Sequence, residues 1–349
     1  DELQGELPAC RAASLIVSWF GDDLRCGACT IRPKVEQHQF DARGMRWMAG
    51  GATRATAQRV ALDGAGRPVY GGTPADAAVI QAIQGMKARG LDVMYYPFIL
   101  MDQMPGNGRP DPYSDAPDQP VLPWRGRISC SEAPGRPGSP DGSTSAAAEV
   151  AAFFGTACAA DFLRAPEVPE EPDVPRLSTE SLEFEPTLLI HGPVEEPPSS
   201  PVHYSGPQEW GYRRFILHQA ALCRAAGGVE SFCIGSEMRG LTQIRGAGNS
   251  FPAVAQLIDL AAQVRILLGP HVKITYAADW SEYFGYQPGN GDRFFHLDPL
   301  WSDPNIDFIG IDNYMPLSDW REGHDHLDAG AWGSIYDLEY LKANVAGGE

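Results

Sequence analysis

The chain has 349 residues, 43% of them hydrophobic, with 14 Phe, 12 Tyr and 8 Trp, which is enough for one large domain with a sizeable core. A formal charge of −18 excludes a phosphate-backbone partner, which needs Lys and Arg in excess, so no nucleic acid is expected. Apolar runs all fall short of the roughly 20 residues that cross a bilayer, so no membrane span is expected.

Residues 1–12 read as the end of a helix, with neither an initiator Met nor a signal pattern, as expected of a segment of a longer protein. A strand follows at 14–20 and ends at Gly21-Asp22-Asp23. Thr73-Pro74 predicts the cap and first position of a helix with Ala78, Val79, Ala82, Ile83 and Met86 on one face, closed by Gly90. Residues 91–100, LDVMYYPFIL, predict the next strand, ending at Asp102.

Residues 103–144 are rich in Gly, Pro, Asp and Ser and read as a long surface loop. Residues 164–206 carry Pro at short intervals and two Glu-Glu pairs, a composition that does not fold alone, although 187–190 could dock as an edge strand. Both are expected as insertions within one domain spanning 1–349.

A helix at 208–226 turns Phe215, Ile216, Gln219, Ala220 and Cys223 inward, and the apolar run 229–234 then stops at Gly235-Ser236-Glu237. A helix at 252–268 leads to a strand at 272–278 that ends in Asp279-Trp280. A last strand at 306–311 ends in Asp312-Asn313-Tyr314. Nearly continuous apolar strands alternating with helices predict a parallel sheet covered on both faces.

Seven cysteines are scattered, and Cys26–Cys29 form a CxxC with no second pair at zinc spacing, so reduced thiols are expected and no metal or other cofactor. The run His324-Asp325-His326 has metal-ligand chemistry but sits in a polar stretch that reads as a solvated loop.

Every predicted strand terminates in a carboxylate: Asp22 and Asp23, Asp102, Glu237, Asp279, Asp312. Taken singly, an aspartate after a strand is most often a turn or cap residue. Five such ends, with Trp19, Tyr95, Tyr96, Trp280, Tyr283, Trp301 and Tyr314 close by, point to a shared acidic cleft suited to sugars. Carboxylates bond hydroxyls and supply acid or base, and rings stack on pyranose faces. Glu237 stands at the tip of an apolar strand, where a pKa raised by burial suits general acid catalysis.

The segments FCIGSEM (232–238), VKITYAADW and IDFIGIDNYMPLSD resemble strands four to six of clan A glycoside hydrolases. TPADAAVIQAIQGMKARGLDVMYYPFILMD resembles helix two and strand three of the same barrels. With SWFGDDLRCGACTIRP and MRWMAGG, the whole chain is similar to the TIM-barrel domain of the large tail (baseplate) protein of gene transfer agents, which are phage-like particles.

That resemblance implies a TIM (β/α)8-type barrel, α/β in class, of which this chain holds strands two to six. Strand one would precede residue 1, and strands seven and eight would follow residue 349. It also implies that Glu237 is the acid/base and Tyr314 the tyrosine that bonds the nucleophile. Ser236 stands where the family has Asn against the sugar 2-hydroxyl. The nucleophile, a strand-seven glutamate, would lie outside the chain.

Asp279, Trp280, Asp312, Asn313, Asp102 and Trp19 are expected around the substrate. Two readings follow. One is a hydrolase of cell-envelope polysaccharide or peptidoglycan. The other is a non-catalytic structural or glycan-binding part of a tail baseplate. Either implies envelope glycan and other tail proteins as partners, in a particle made in the bacterial cytoplasm.

Overall fold

A computed structural model of the chain describes residues 5–42, 44–163 and 200–347. The elements run β1 (Ala12–Gly21), β2 (Ile31–Arg32), α1 (Asp76–Lys87), β3 (Asp92–Met101) and α2 (Thr144–Phe154). They continue with α3 (Tyr212–Ala225), β4 (Ser231–Ser236), α4 (Arg239–Thr242), α5 (Pro252–Leu268), β5 (Lys273–Asp279) and β6 (Gly310–Asp312).

The main sheet has the order β6-β5-β4-β3-β1-β2. The first five of these pair in parallel and follow chain order without reversal, whereas β2 turns back antiparallel on β1. A doubly wound sheet reverses its order at a switch point, but a (β/α)8 wall does not. Over the described residues the strands form a barrel wall that stays open, with β2 and β6 at its edges.

Alternation along β3 shows which face the helices cover. Val93, Tyr95, Pro97, Ile99 and Met101 are buried, while Met94, Tyr96, Phe98 and Leu100 are half-exposed on the other side. Tyr95 points at α3, where its hydroxyl donates to Gln219 Oε1 at 2.5 Å. Helix α3 is buried almost all round, and Phe215, Ile216, Gln219, Ala220 and Cys223 are all fully buried. On the helix-free face Ile16 is 58% exposed, because no opposite wall among the described residues covers it.

Several expectations change. Thr73 does not cap α1, whose flanking residue is Ala75. Its hydroxyl donates instead to Ser18 O at 2.9 Å, tying the loop to β1. The last strand is only Gly310–Asp312, since Asp307 turns back to accept from Ile274 N and Arg265. Helix α2 went unpredicted, although Ser143 caps it by accepting from Ser145 N at 3.2 Å.

The stretch 103–144 is not all surface: Ile128, Ser129 and Cys130 are fully buried, and Cys26 N donates to Ser129 O at 2.7 Å. Gln119 anchors it further, accepting from Leu24 N at 2.9 Å and donating to Asp23 Oδ1 at 2.7 Å. The possible edge strand at 187–190 lies outside the described residues.

Candidate active site at the end of β4

The motif around Glu237 is shaped by three local features. Between the pairs Cys233–Thr275 and Ser236–Ala277, β4 takes three steps where β5 takes two, so β4 carries a bulge just before Glu237. A bulge re-aims the side chains that follow it. Gly235 is required by space, since a Cβ there would lie 2.2 Å from the Tyr212 hydroxyl. That hydroxyl donates to Ile234 O at 2.7 Å.

Glu237 itself has φ 51°, a left-handed conformation that costs a non-glycine residue about 1–2 kcal/mol. Its N–H donates to Ala277 O at 2.8 Å, and the next N–H, of Met238, donates to the Tyr276 hydroxyl at 2.9 Å. The surroundings thus over-determine a strained turn.

The Glu237 side chain is only 5% exposed. Its Oε2 accepts from Trp124 Nε1 at 2.7 Å and lies 3.1 Å from Arg125 Nη2. Its Oε1 accepts from the Tyr314 hydroxyl at 2.8 Å. Trp124 and Arg125 can only donate, so Oε1 is the oxygen free to carry a proton. The hydrogen bond to Glu237, with burial of the phenol, pushes the Tyr314 pKa up to about 12.

Asp312, two strands away on β6, hydrogen-bonds the Glu237 carboxyl. Burial raises its pKa, and the Glu237 charge and shared hydrogen bond raise it further, against the Tyr96 donor and the Arg125 charge. Tyr96 donates to Asp312 Oδ2 at 2.5 Å. Two carboxyls in contact favour one shared proton over two ionised groups.

Ser236 is buried and already engaged. Its hydroxyl accepts from Arg125 Nη2 at 2.9 Å, and its carbonyl accepts from Arg125 Nε at 3.0 Å. The Arg125 guanidinium lies 3.7 Å over the Phe98 ring. Trp280 is 38% exposed, and its N–H donates to Asp312 O at 3.1 Å. With Asn313, Met315, Leu317 and Asn344 it lines an adjoining groove of about 420 Å³.

Three expected residues stand apart. Trp19 is 1% exposed, its ring against Trp210, Phe215 and His218, which leaves no face for a sugar. Asp102 is buried in an ion pair with Lys34 at 2.8 Å and accepts from Ala61 N at 3.0 Å. Both belong to the frame rather than to a substrate surface. Asp279 is spent on its own turn, accepting from Ser281 N at 2.8 Å and from the Ser281 hydroxyl.

His326 caps the short helix Leu327–Ala331 through its Nδ1. Among the described residues, no group of three or more His, Cys, Asp or Glu is placed to hold a metal ion. No helix there is long and apolar enough to cross a membrane.

Sequence reasoning missed Trp124 and Arg125, and named Tyr96 only among the aromatics near the strand ends. The signal for the first two was a tryptophan beside an arginine in an otherwise small and polar loop after a barrel strand, where functional side chains concentrate. Tyr96 was legible as the residue alternating with the core-facing Tyr95.

Residues 210–349 match the family described as GTA TIM-barrel-like domain. Among solved structures, the chain is similar to "Complex structure of GH113 beta-1,4-mannanase", at 15% identity and a TM-score of 0.37. It is likewise similar to "Structure of GH113 beta-1,4-mannanase", at 15% identity and a TM-score of 0.38. Each alignment covers 91% of this chain and 56% of the other, so the chain spans little more than half the length of these structures. No curated protein matches it.

Proposed function

We propose that this chain, whose residues 210–349 carry the gene transfer agent TIM-barrel-like domain, is the glycan-directed part of a phage-like particle's tail baseplate. Its proposed chemistry is hydrolysis of a β-linked envelope polysaccharide or peptidoglycan. The observation that carries this reading is the buried Glu237 carboxyl at the end of β4, held by the Trp124 indole and the Tyr314 hydroxyl with Asp312 beside it. Glu237, protonated at Oε1, would pass that proton to the departing glycosidic oxygen and would later take one back from the attacking water. Trp280 and Asn313 would flank the sugar in the adjoining groove.

Asp312 lies against Glu237 in this scheme and is not the second catalytic carboxyl. Glycosidases separate their two carboxyls by about 5–5.5 Å or about 6.5–9.5 Å, and a hydrogen-bonded pair is closer than either.

A second reading, glycan binding without turnover, has its own support. Arg125 occupies the Ser236 hydroxyl, at the position where the resemblance places the contact to a sugar 2-hydroxyl, and lies 3.1 Å from Glu237 Oε2. Glu237→Gln tests both readings on purified peptidoglycan sacculi and on extracted envelope polysaccharide. Loss of reducing-end release with unchanged folding supports hydrolysis. Sedimentation with sacculi, without release by either protein, supports binding alone. Equal release by wild type and variant would overturn the acid/base assignment.

A further inference from the structure

Beneath the Glu237 turn lies another buried carboxyl, unused by the scheme above. Glu282 is fully buried and has three donors. The Thr242 hydroxyl reaches Oε1 at 2.5 Å, the Tyr276 hydroxyl reaches Oε1 at 2.9 Å, and Asp279 N–H reaches Oε2 at 3.0 Å.

Two of these donors hold α4, the short helix that starts directly after Glu237. Thr242 is its last residue. The Tyr276 hydroxyl, with its one proton committed to Glu282, offers a lone pair to Met238 N–H at 2.9 Å. Met238 flanks the start of α4, and its peptide follows the left-handed Glu237. Glu282 therefore grips α4 at both ends.

We infer that Glu282 is a positioning residue for Glu237: by accepting the Tyr276 and Thr242 protons, it holds the left-handed turn that aims the Glu237 carboxyl at Tyr314 and Asp312. This inference rests on Glu237 as the working group of the proposed site. Positioning a functional side chain through a locked, fully hydrogen-bonded support is the general requirement for such sites.

The groups facing Glu282 give the clamp a pH response. They are Asp279 on its own turn, Tyr276 from β5 and Thr242 from α4, with His296 reaching Thr242 at 3.4 Å. Burial lowers His296 to about 4, so it is neutral near pH 7. Burial pushes Glu282 up to about 7, with the Asp279 charge adding and the three hydrogen bonds opposing. On protonation one Glu282 oxygen becomes a donor, and the Tyr276 proton is no longer committed.

Trp124 provides a reporter that needs no substrate, because its indole N–H donates to Glu237 Oε2. The experiment records indole N–H spectra and hydrogen exchange of ¹⁵N-tryptophan-labelled intact protein, with Trp124 assigned through Trp124→Phe. Glu282→Gln and Tyr276→Phe should each move the Trp124 resonance and speed its exchange about tenfold, as for one lost hydrogen bond. The double variant should add little to the larger single change. Trp47, whose indole donates to Thr73 O, serves as the internal control and should stay unchanged.

A Glu282→Gln protein with a lower melting temperature but a wild-type Trp124 signal would overturn the inference, leaving Glu282 a merely structural group. Should Glu282→Gln fail to fold, Tyr276→Phe keeps the other two donors on Glu282 and decides alone. An unchanged Trp124 signal there overturns the inference. Turnover by Glu237→Gln plays no part in this readout, so failure of the hydrolytic reading is scored separately.

Discussion

Arg125→Met removes one side chain and unties four contacts at once. Arg125 donates to Ser236 O at 3.0 Å and to Ser236 Oγ at 2.9 Å, lies 3.1 Å from Glu237 Oε2, and covers the Phe98 ring at 3.7 Å. Both ion-pair side chains are 5% exposed, so solvent cannot replace the lost partner. Breaking a buried pair from one side costs about 3–5 kcal/mol, and the Ser236 contacts overlap with that figure rather than adding to it.

The expected loss is therefore about 4 kcal/mol, within the roughly 5–15 kcal/mol by which folded domains are stable. Urea unfolding followed by circular dichroism would measure it at neutral pH. In a cycle with Glu237→Gln, the double variant should recover about 2 kcal/mol relative to the sum of the singles, since groups in contact couple by roughly 0.5–3 kcal/mol. A single loss below about 1 kcal/mol, with additive singles, would refute the claim that Arg125 holds Glu237 in place.

Other outcomes follow from the same contacts. Glu282 ionises near its ordinary value of 4.5 when unfolded but near 7 when folded, so its contribution to stability is full below 4.5 and is lost as pH rises through about 7. The stability difference between wild type and Glu282→Gln should thus change by about 2.5 kcal/mol from about pH 5 to about pH 8, and a flat difference would count against the buried carboxyl.

Lys34→Met should cost about 3–5 kcal/mol by stranding Asp102, while adding Asp102→Leu should restore most of it in the same unfolding assay. Gly235→Ala should cost about 2 kcal/mol by driving a Cβ into the Tyr212 hydroxyl. The cost should shrink in a Tyr212→Phe background, and an equal cost in both backgrounds would place the strain elsewhere.

Much of the frame was legible. The inward stripe Phe215, Ile216, Gln219, Ala220 and Cys223 follows helical spacing, and all five are fully buried. The strand ends carried the acidic residues, and three of the motif residues, Ser236, Glu237 and Asp312, meet at one place with Tyr314. Trp19 and Asp102 were misread because a strand end offers two faces. The sequence does not say that Trp19 faces α3 or that Lys34, 68 residues earlier, neutralises Asp102. Helix α2 was overlooked because its Ala-rich run follows directly on a Gly/Pro-rich loop.

By itself the sequence determined the alternation of strands and helices, the burial of the strands, and a glutamate at the tip of an apolar strand. Those properties are local: they follow from periodicity, turn chemistry and the lengths of apolar runs. Only the tertiary structure decided where the Glu237 carboxyl points and what meets it. The bulge in β4 and the left-handed backbone set its direction. Its partners come from a loop 112–113 residues earlier and from β6 and Tyr314 far along the chain. Glu237 and Asp312 meet because two distant strand ends converge, and no pattern within one strand encodes that meeting.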